Sequence, residues 1–287
     1  MKKVVVLGAN GQLGQTLLDI VKNERYQFFF FSKEDIDITN KESLDVLFKK
    51  SDFEYCINCS AYTNVEAAET DIEQAFLVNA KGVKHIAEVC NLSNVKLIHI
   101  STDYVFDGEK KSPYKTDDET NPLNQYGKSK LKGELYIQSI LKEHFIIRTS
   151  WLYSIYGKNF LKTIINKVDE NKELKITTEE VGTPTSCIDL SNFIIHLITK
   201  QNTSYGIYNL SAKGQTTWYG FAREITYHYS PKKMNLIQPA DHFKTVAKRP
   251  KYTVLDMTKT SEFYDEIKNW EASVKDIVDQ LTLENNQ

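Results

Sequence analysis

Three glycines spaced three apart, Gly8, Gly11 and Gly14, follow directly on the apolar run Lys3–Leu7 and lead into a predicted helix, Gln15–Lys22. A strand, a glycine turn and a helix in that order leave few folds open. Bare backbone in the turn lets a phosphate approach the amides at a helix N-terminus, so Gly8-Ala9-Asn10-Gly11-Gln12-Leu13-Gly14 reads as a dinucleotide fingerprint of GxxGxxG spacing. A glycine cluster after a strand can also be a tight turn only. The rest of the first half favours the cofactor reading, because short apolar runs recur at Gln27–Phe31, Tyr55–Cys59, Val95–Ile100 and His144–Arg148 with amphipathic segments between them. That alternation predicts an α/β fold: a Rossmann-like, doubly wound parallel sheet with helices on both faces.

Beyond residue 155 the pattern loosens. Asn159–Val168, Ile188–Thr199 and Trp218–Tyr229 are predicted helices, and Leu174–Thr177, Gly206–Leu210 and Thr253–Leu255 predicted strands, separated by loops rich in Gly, Pro and Lys. The expected division is a dinucleotide-binding domain over 1–155 and a smaller substrate lobe over 156–287, interleaved with segments that return to the sheet.

The chain has 287 residues and a net charge of -2 with acids and bases interspersed. No basic patch points to nucleic acid, and the first apolar stretch is too soon broken for a signal peptide or membrane span. The expectation is a cytoplasmic protein acting on a small molecule. Cys56 and Cys59 form a CxxC, but residues three apart on a strand point to opposite faces, and no second pair completes a metal site. The six histidines lie in no chemical motif and read as packing or surface residues.

Ser101-Thr102-Asp103 closes the Val95–Ile100 run, so its polar groups should emerge at the carboxyl edge of the sheet, where open α/β folds bind ligands. Phe106–Gln125 then reads as a long excursion over the site, and loops of that length tend to be functional. It ends at Tyr126-Gly127-Lys128-Ser129-Lys130. If this run begins a helix, the spacing of four sets the Tyr126 phenol and the Lys130 ammonium on one face, where a fixed cation can lower the phenol's pKa. Bringing it from about 10 to near neutrality takes about 4 kcal/mol of differential stabilisation. The bland alternative is a half-buried Tyr beside a solvated Lys.

These motifs, together with Asn58-Cys59-Ser60-Ala61-Tyr62-Thr63 and His99–Gly108, resemble the extended short-chain dehydrogenases/reductases. Within them the chain closely resembles the dTDP-4-dehydrorhamnose reductase family, with further matches at Pro122-Leu123-Asn124, Arg148–Tyr153, Gly182-Thr183-Pro184-Thr185 and Arg249-Pro250. The resemblance covers nearly the whole chain. It implies reduction of a 4-keto deoxysugar nucleotide, in which Tyr126 gives a proton to the C4 oxygen, Lys130 tunes Tyr126 and holds the nicotinamide ribose, and Thr102 hydrogen-bonds the developing alkoxide. Asp103, Tyr104 and Trp151 would contact the sugar, and Arg249, beside Lys248, would neutralise the diphosphate. The cofactor would run from the turn of Gly8, Asn10 and Gly14, with Gly11, Gln12 and Leu13 at the pyrophosphate, to Ser32 and Lys33, to Asp37 and Ile38 at the adenine, and along Ala61, Tyr62 and Thr63. Tyr126 and Lys130 would meet its nicotinamide end. Because the second strand ends at Phe31-Ser32-Lys33 and not on an acid, NADPH is expected to be preferred, with NADH usable.

Some members of the family form dimers bridged by magnesium through acids near the first helix and after the Gly-Thr-Pro-Thr run. Here those places offer Gln15-Thr16 and a single Asp189, which speaks against a bridging magnesium and leaves monomer and homodimer both open. Two rivals are a nucleotide-sugar epimerase or 4,6-dehydratase, and a cofactor-binding regulatory subunit without turnover. A dehydratase commonly carries Asp-Glu after the Thr, whereas Asp103 is followed by Tyr104. A binding module has no need of Thr102, Tyr126 and Lys130 together.

Overall fold

The computed structural model describes residues 1–21, 25–241 and 245–285. Five strands, β1 (Lys2–Leu7), β2 (Tyr26–Phe31), β3 (Phe53–Asn58), β4 (Lys96–Thr102) and β5 (His144–Thr149), join a sixth, Gly206–Asn209, in one sheet. Read from that last strand the order is Gly206–Asn209, β5, β4, β3, β1, β2, and every pairing is parallel. The order reverses between β1 and β3. Their carboxyl ends therefore border the crevice in which doubly wound sheets bind ligands.

Both faces of the sheet are covered, which is why its strands read as unbroken apolar runs. On β1, Val4 and Val6 face one way into a core with α1 (Gln12–Ile20) and Cys187–Thr199, while Val5 and Leu7 face the other. That second core is completed by α2 (Lys41–Lys49), by Val83–Leu92 and by Gln125–Ile140. The helix α3 (Ile72–Phe76) runs through a π-helical stretch, Leu77–Gly82, into α4 (Val83–Leu92). Next come α5 (Gln125–Ile140), α6 (Phe160–Asp169), α7 (Cys187–Thr199) and α8 (Trp218–Tyr229).

A third core lies away from the sheet, where Leu161, Ile164 and Val168 of α6 meet Phe221 and Ile225 of α8 and Trp270, Val274 and Ile277 of the Trp270–Asn285 helix. The helix α7 meets it at Ile188, while its Leu190, Phe193, Ile194 and Leu197 pack under the main sheet. Among the described residues no helix is long and apolar enough to cross a membrane.

Several predicted elements differ in detail. The first helix starts at Gln12, three residues earlier than the apolar pattern gives, because Gly11 caps it in extended conformation; Lys22, its predicted end, lies outside the described residues. Thr253–Leu255 forms no strand. Its neighbourhood makes only isolated bridges, Tyr252 to Val181 and Leu255 to Tyr114, since Val181 belongs to a strand of only two residues and Tyr114 to a loop. Cys56 and Cys59 do face opposite cores, and both are free thiols.

Candidate active site

Two cavities meet along the carboxyl edge of the sheet. One, of about 640 Å³, is lined by Gly8, Lys33, Asp37, Ile38 and Tyr62 among others, and the second, of about 610 Å³, by Gln12, Thr102, Tyr126, Lys130 and Trp151 among others. Asn10, Gly11, Cys59 and Ala61 line both, so the two form one trough. Leu13, Thr63 and Asp103 border the second.

The glycine turn is a backbone cradle. Gly8 has φ +85°, and a Cβ there would lie 2.7 Å from the Ser60 amide nitrogen, while one on Gly14 would lie 2.4 Å from the Gly8 carbonyl oxygen. No side chain caps α1 and its first turn holds no acid, so amides at its start remain open to an anion beside Gln12 and Leu13. These features fit a dinucleotide pyrophosphate. Ser32 lines neither cavity; its amide and hydroxyl both donate to Asp35 Oδ2, at 2.9 and 2.8 Å, so this predicted cofactor contact is spent within its own turn. Glu34, by contrast, lines the first cavity beside Lys33.

The catalytic candidates come from two elements whose ends converge. Asn124 caps α5 by accepting the Gly127 amide proton at 2.8 Å, which sets Tyr126 and Lys130 in the first two turns. Tyr126 and Thr102 line the second cavity together, and Thr102 donates to Asp103 Oδ1 at 3.0 Å. Burial raises the Tyr126 phenol to about 12, with the Thr102 hydroxyl pulling the other way. The predicted lowering by Lys130 is not seen in this state, because Lys130 Nζ donates to the Ile100 carbonyl at 2.6 Å and burial has lowered its own pKa to about 8. Asp103 is 2% exposed, its Oδ2 has no hydrogen-bond partner, and burial raises its carboxyl to about 7.

Trp151 stands at the far wall with φ +46°, a conformation costly for a bulky residue. Its ring stacks on Trp218 at 3.7 Å between centroids, and the Trp218 indole donates to Glu180 at 2.8 Å. Tyr104, which lines neither cavity, lies edge-on to Tyr126 at 6.0 Å. Arg249 is placed elsewhere: it pairs with Glu66 at 2.7 Å, donates to the Tyr104 hydroxyl at 3.3 Å and borders a separate cavity of about 710 Å³ with Lys110, Lys111, Lys248 and Lys251.

The same fold occurs in known proteins. A family model described as the RmlD substrate binding domain matches residues 1–283. The chain belongs to that family. It is 34% identical over 290 residues to the dTDP-4-dehydrorhamnose reductase of Aggregatibacter actinomycetemcomitans, covering 96% of this chain and 98% of that protein. The dTDP-4-dehydrorhamnose reductase of Bacillus anthracis in complex with NADP superposes with a TM-score of 0.93 at 34% identity, covering 98% of this chain and 100% of that one. An ortholog from Clostridium acetobutylicum gives 0.91 at 36% identity, covering 98% and 99%.

This RmlD-family chain also holds residues that reading by motif missed. Asn79, in the π-helical stretch, accepts the Tyr62 amide proton at 2.8 Å and donates to Ser129 Oγ at 3.0 Å, tying the loop after β3 to α5. Glu134 and Arg148 form a buried bidentate pair that also takes the Ser101 hydroxyl. His99, read from sequence as ordinary packing, lies between Asn58 and Lys130. Only the His99 position carried a signal, its place two residues before Ser101-Thr102. No cluster of three or more metal-binding side chains occurs among the described residues, and Asp189 is engaged by Ser273 at 2.6 Å.

Proposed function

We propose that this chain reduces the C4 ketone of dTDP-4-dehydro-β-L-rhamnose to dTDP-β-L-rhamnose with NADPH. The observation that carries the reading is the convergence of Tyr126, Thr102 and Lys130 on one cavity, at the end of a trough that starts on the open N-terminus of α1. The names of the Aggregatibacter and Bacillus relatives support it.

Gly8, Gly11 and Gly14 give the pyrophosphate room, and Asp37, Ile38, Ala61, Tyr62 and Thr63 flank the rest of the cofactor. Bound reduced nicotinamide supplies a hydride to the ketone carbon. Tyr126 then delivers its phenolic proton to the C4 oxygen, which Thr102 meets with a hydrogen bond as negative charge develops. A phenol held near 12 stays protonated across the working range, as an acid must at the start of a turnover. Lys130 holds the ribose and stabilises the phenolate left behind. Asp103 and Trp151 receive the sugar, and Arg249 with Lys248, which border the separate cavity, would meet the diphosphate.

Incubation with this nucleotide sugar and NADPH should consume the reduced cofactor in proportion to product, with the new C4 configuration of rhamnose. An epimerase or dehydratase would leave the nicotinamide absorbance unchanged. Tyr126→Phe should abolish reduction while cofactor affinity stays nearly constant; normal turnover in that variant would remove Tyr126 from the mechanism. Lys33 at the end of β2 supports a preference for NADPH, and a kcat/KM clearly higher with NADH would count Glu34 as the deciding group. The same reading places the enzyme in the cytoplasm, as a monomer or homodimer.

A further inference from the structure

Behind the trough, Asn58, His99 and Lys130 form a chain with no exposed member. Asn58 and His99 are partners in the β3–β4 register, both 0% exposed, and Lys130 is 2% exposed. The protons along it follow from the outside in. The Ser60 amide donates to Asn58 Oδ1 at 3.0 Å, which turns the Asn58 NH2 toward His99. Asn58 Nδ2 then donates to His99 Nδ1 at 3.0 Å, so that ring nitrogen must present a lone pair. A neutral imidazole so engaged carries its proton on Nε2. Burial, with the charge of Lys130 and the nearby His144, holds His99 well below the ordinary histidine range, which keeps the ring neutral.

His99 Nε2 lies 3.5 Å from Lys130 Nζ. A ring N–H suits the lone pair of a neutral amine and opposes the three N–H groups of an ammonium. We propose that His99 is a positioning residue for Lys130: locked by Asn58 with its proton on Nε2, it biases the lysine toward the neutral amine and so sets the pH at which the site carries its cation. The proposal rests on the reading of Lys130 as catalytic. Besides the Ile100 carbonyl, which accepts from Lys130 at 2.6 Å, two titratable groups face the amine. Glu134, one turn along α5, favours the charged form but is already paired with Arg148 and Ser101, and Cys59 at the end of β3 is kept as a thiol by burial.

Two measurements test this. In protein labelled with 15N-histidine, the NMR signals of His99 should show Nε2 protonated and Nδ1 bare between pH 6 and 8; a proton on Nδ1, or on both nitrogens, overturns the proposal. This readout needs no turnover. In His99→Gln the amide oxygen can turn to accept from an ammonium, so the alkaline limb of kcat/KM, expected in the parent near the Lys130 value of about 8, should rise by about one pH unit, a tenfold change in the charged fraction. A limb that stays in place, or a profile without one, also overturns it. Lys130→Met separates the two readings: retained turnover would refute a catalytic Lys130 while leaving the His99 tautomer to be judged by NMR alone.

Discussion

Asp103 occupies a place where a carboxylate is hard to keep charged. Burial raises its carboxyl from the usual value of 3.8 to about 7. The folded chain therefore retains a proton that the unfolded chain releases, and the site's contribution to stability falls as pH rises from about 4 to about 7. Asp103→Asn removes this slope. It should stabilise the cofactor-free protein by about 2–4 kcal/mol at pH 8 and by little at pH 4, as read by urea unfolding at the two pH values. An equal effect at both would show that the carboxyl titrates normally. The neighbouring hydroxyl is oriented by the arrangement, because Thr102 donates to Asp103 and accepts from the Tyr104 amide.

At the scale of elements, the pair of Glu134 and Arg148 joins what the site requires. Glu134 lies on α5 one turn after Lys130, Arg148 on β5, and Ser101 on β4 beside Thr102. A further hydrogen bond from Arg148 Nη1 to the Thr116 carbonyl at 3.1 Å anchors the Phe106–Gln125 excursion, which lines the separate cavity of Arg249 and not the trough. Removing one partner strands a charge in the interior, so Glu134→Ala should cost about 3–5 kcal/mol in chemical denaturation. The double variant Glu134→Leu with Arg148→Met should recover most of that loss in stability. It should not recover activity, since the loop tether at Thr116 is gone. A single variant as stable as the parent would mean that the pair contributes nothing to holding α5 on the sheet.

Across the whole molecule, what could be read from the sequence was what lies close along the chain. The glycine turn, Thr102 and the Tyr126–Lys130 spacing sit within short motifs at strand or helix ends, and the folded chain gathers them in one trough. The partners of these residues were hidden because they are distant in sequence: Asn79 reaches Ser129, Glu134 reaches Arg148, and Trp218 covers Trp151. Helix periodicity placed α7 correctly but not its allegiance, since an apolar stripe does not say which core it joins. The resemblance supplied the role of Trp151; its ring geometry comes from Trp218, which sequence reading left as the start of a helix.

The sheet is completed on its β5 side by Gly206–Asn209, a strand that follows β5 only after α6, the loops beyond it and α7 have been made. During synthesis at ~5–20 residues per second, β5 thus waits several seconds with its outer hydrogen-bonding edge open. Such an edge invites pairing with other chains. His144–Thr149 is buried throughout in the finished molecule, so a nascent chain stalled before residue 206 would present an apolar edge strand to its neighbours on the polysome. The arrival of the late strand closes that edge, and its Asn209 side chain then clasps the carbonyls of Tyr114 and Asp256 at 2.8 and 3.1 Å.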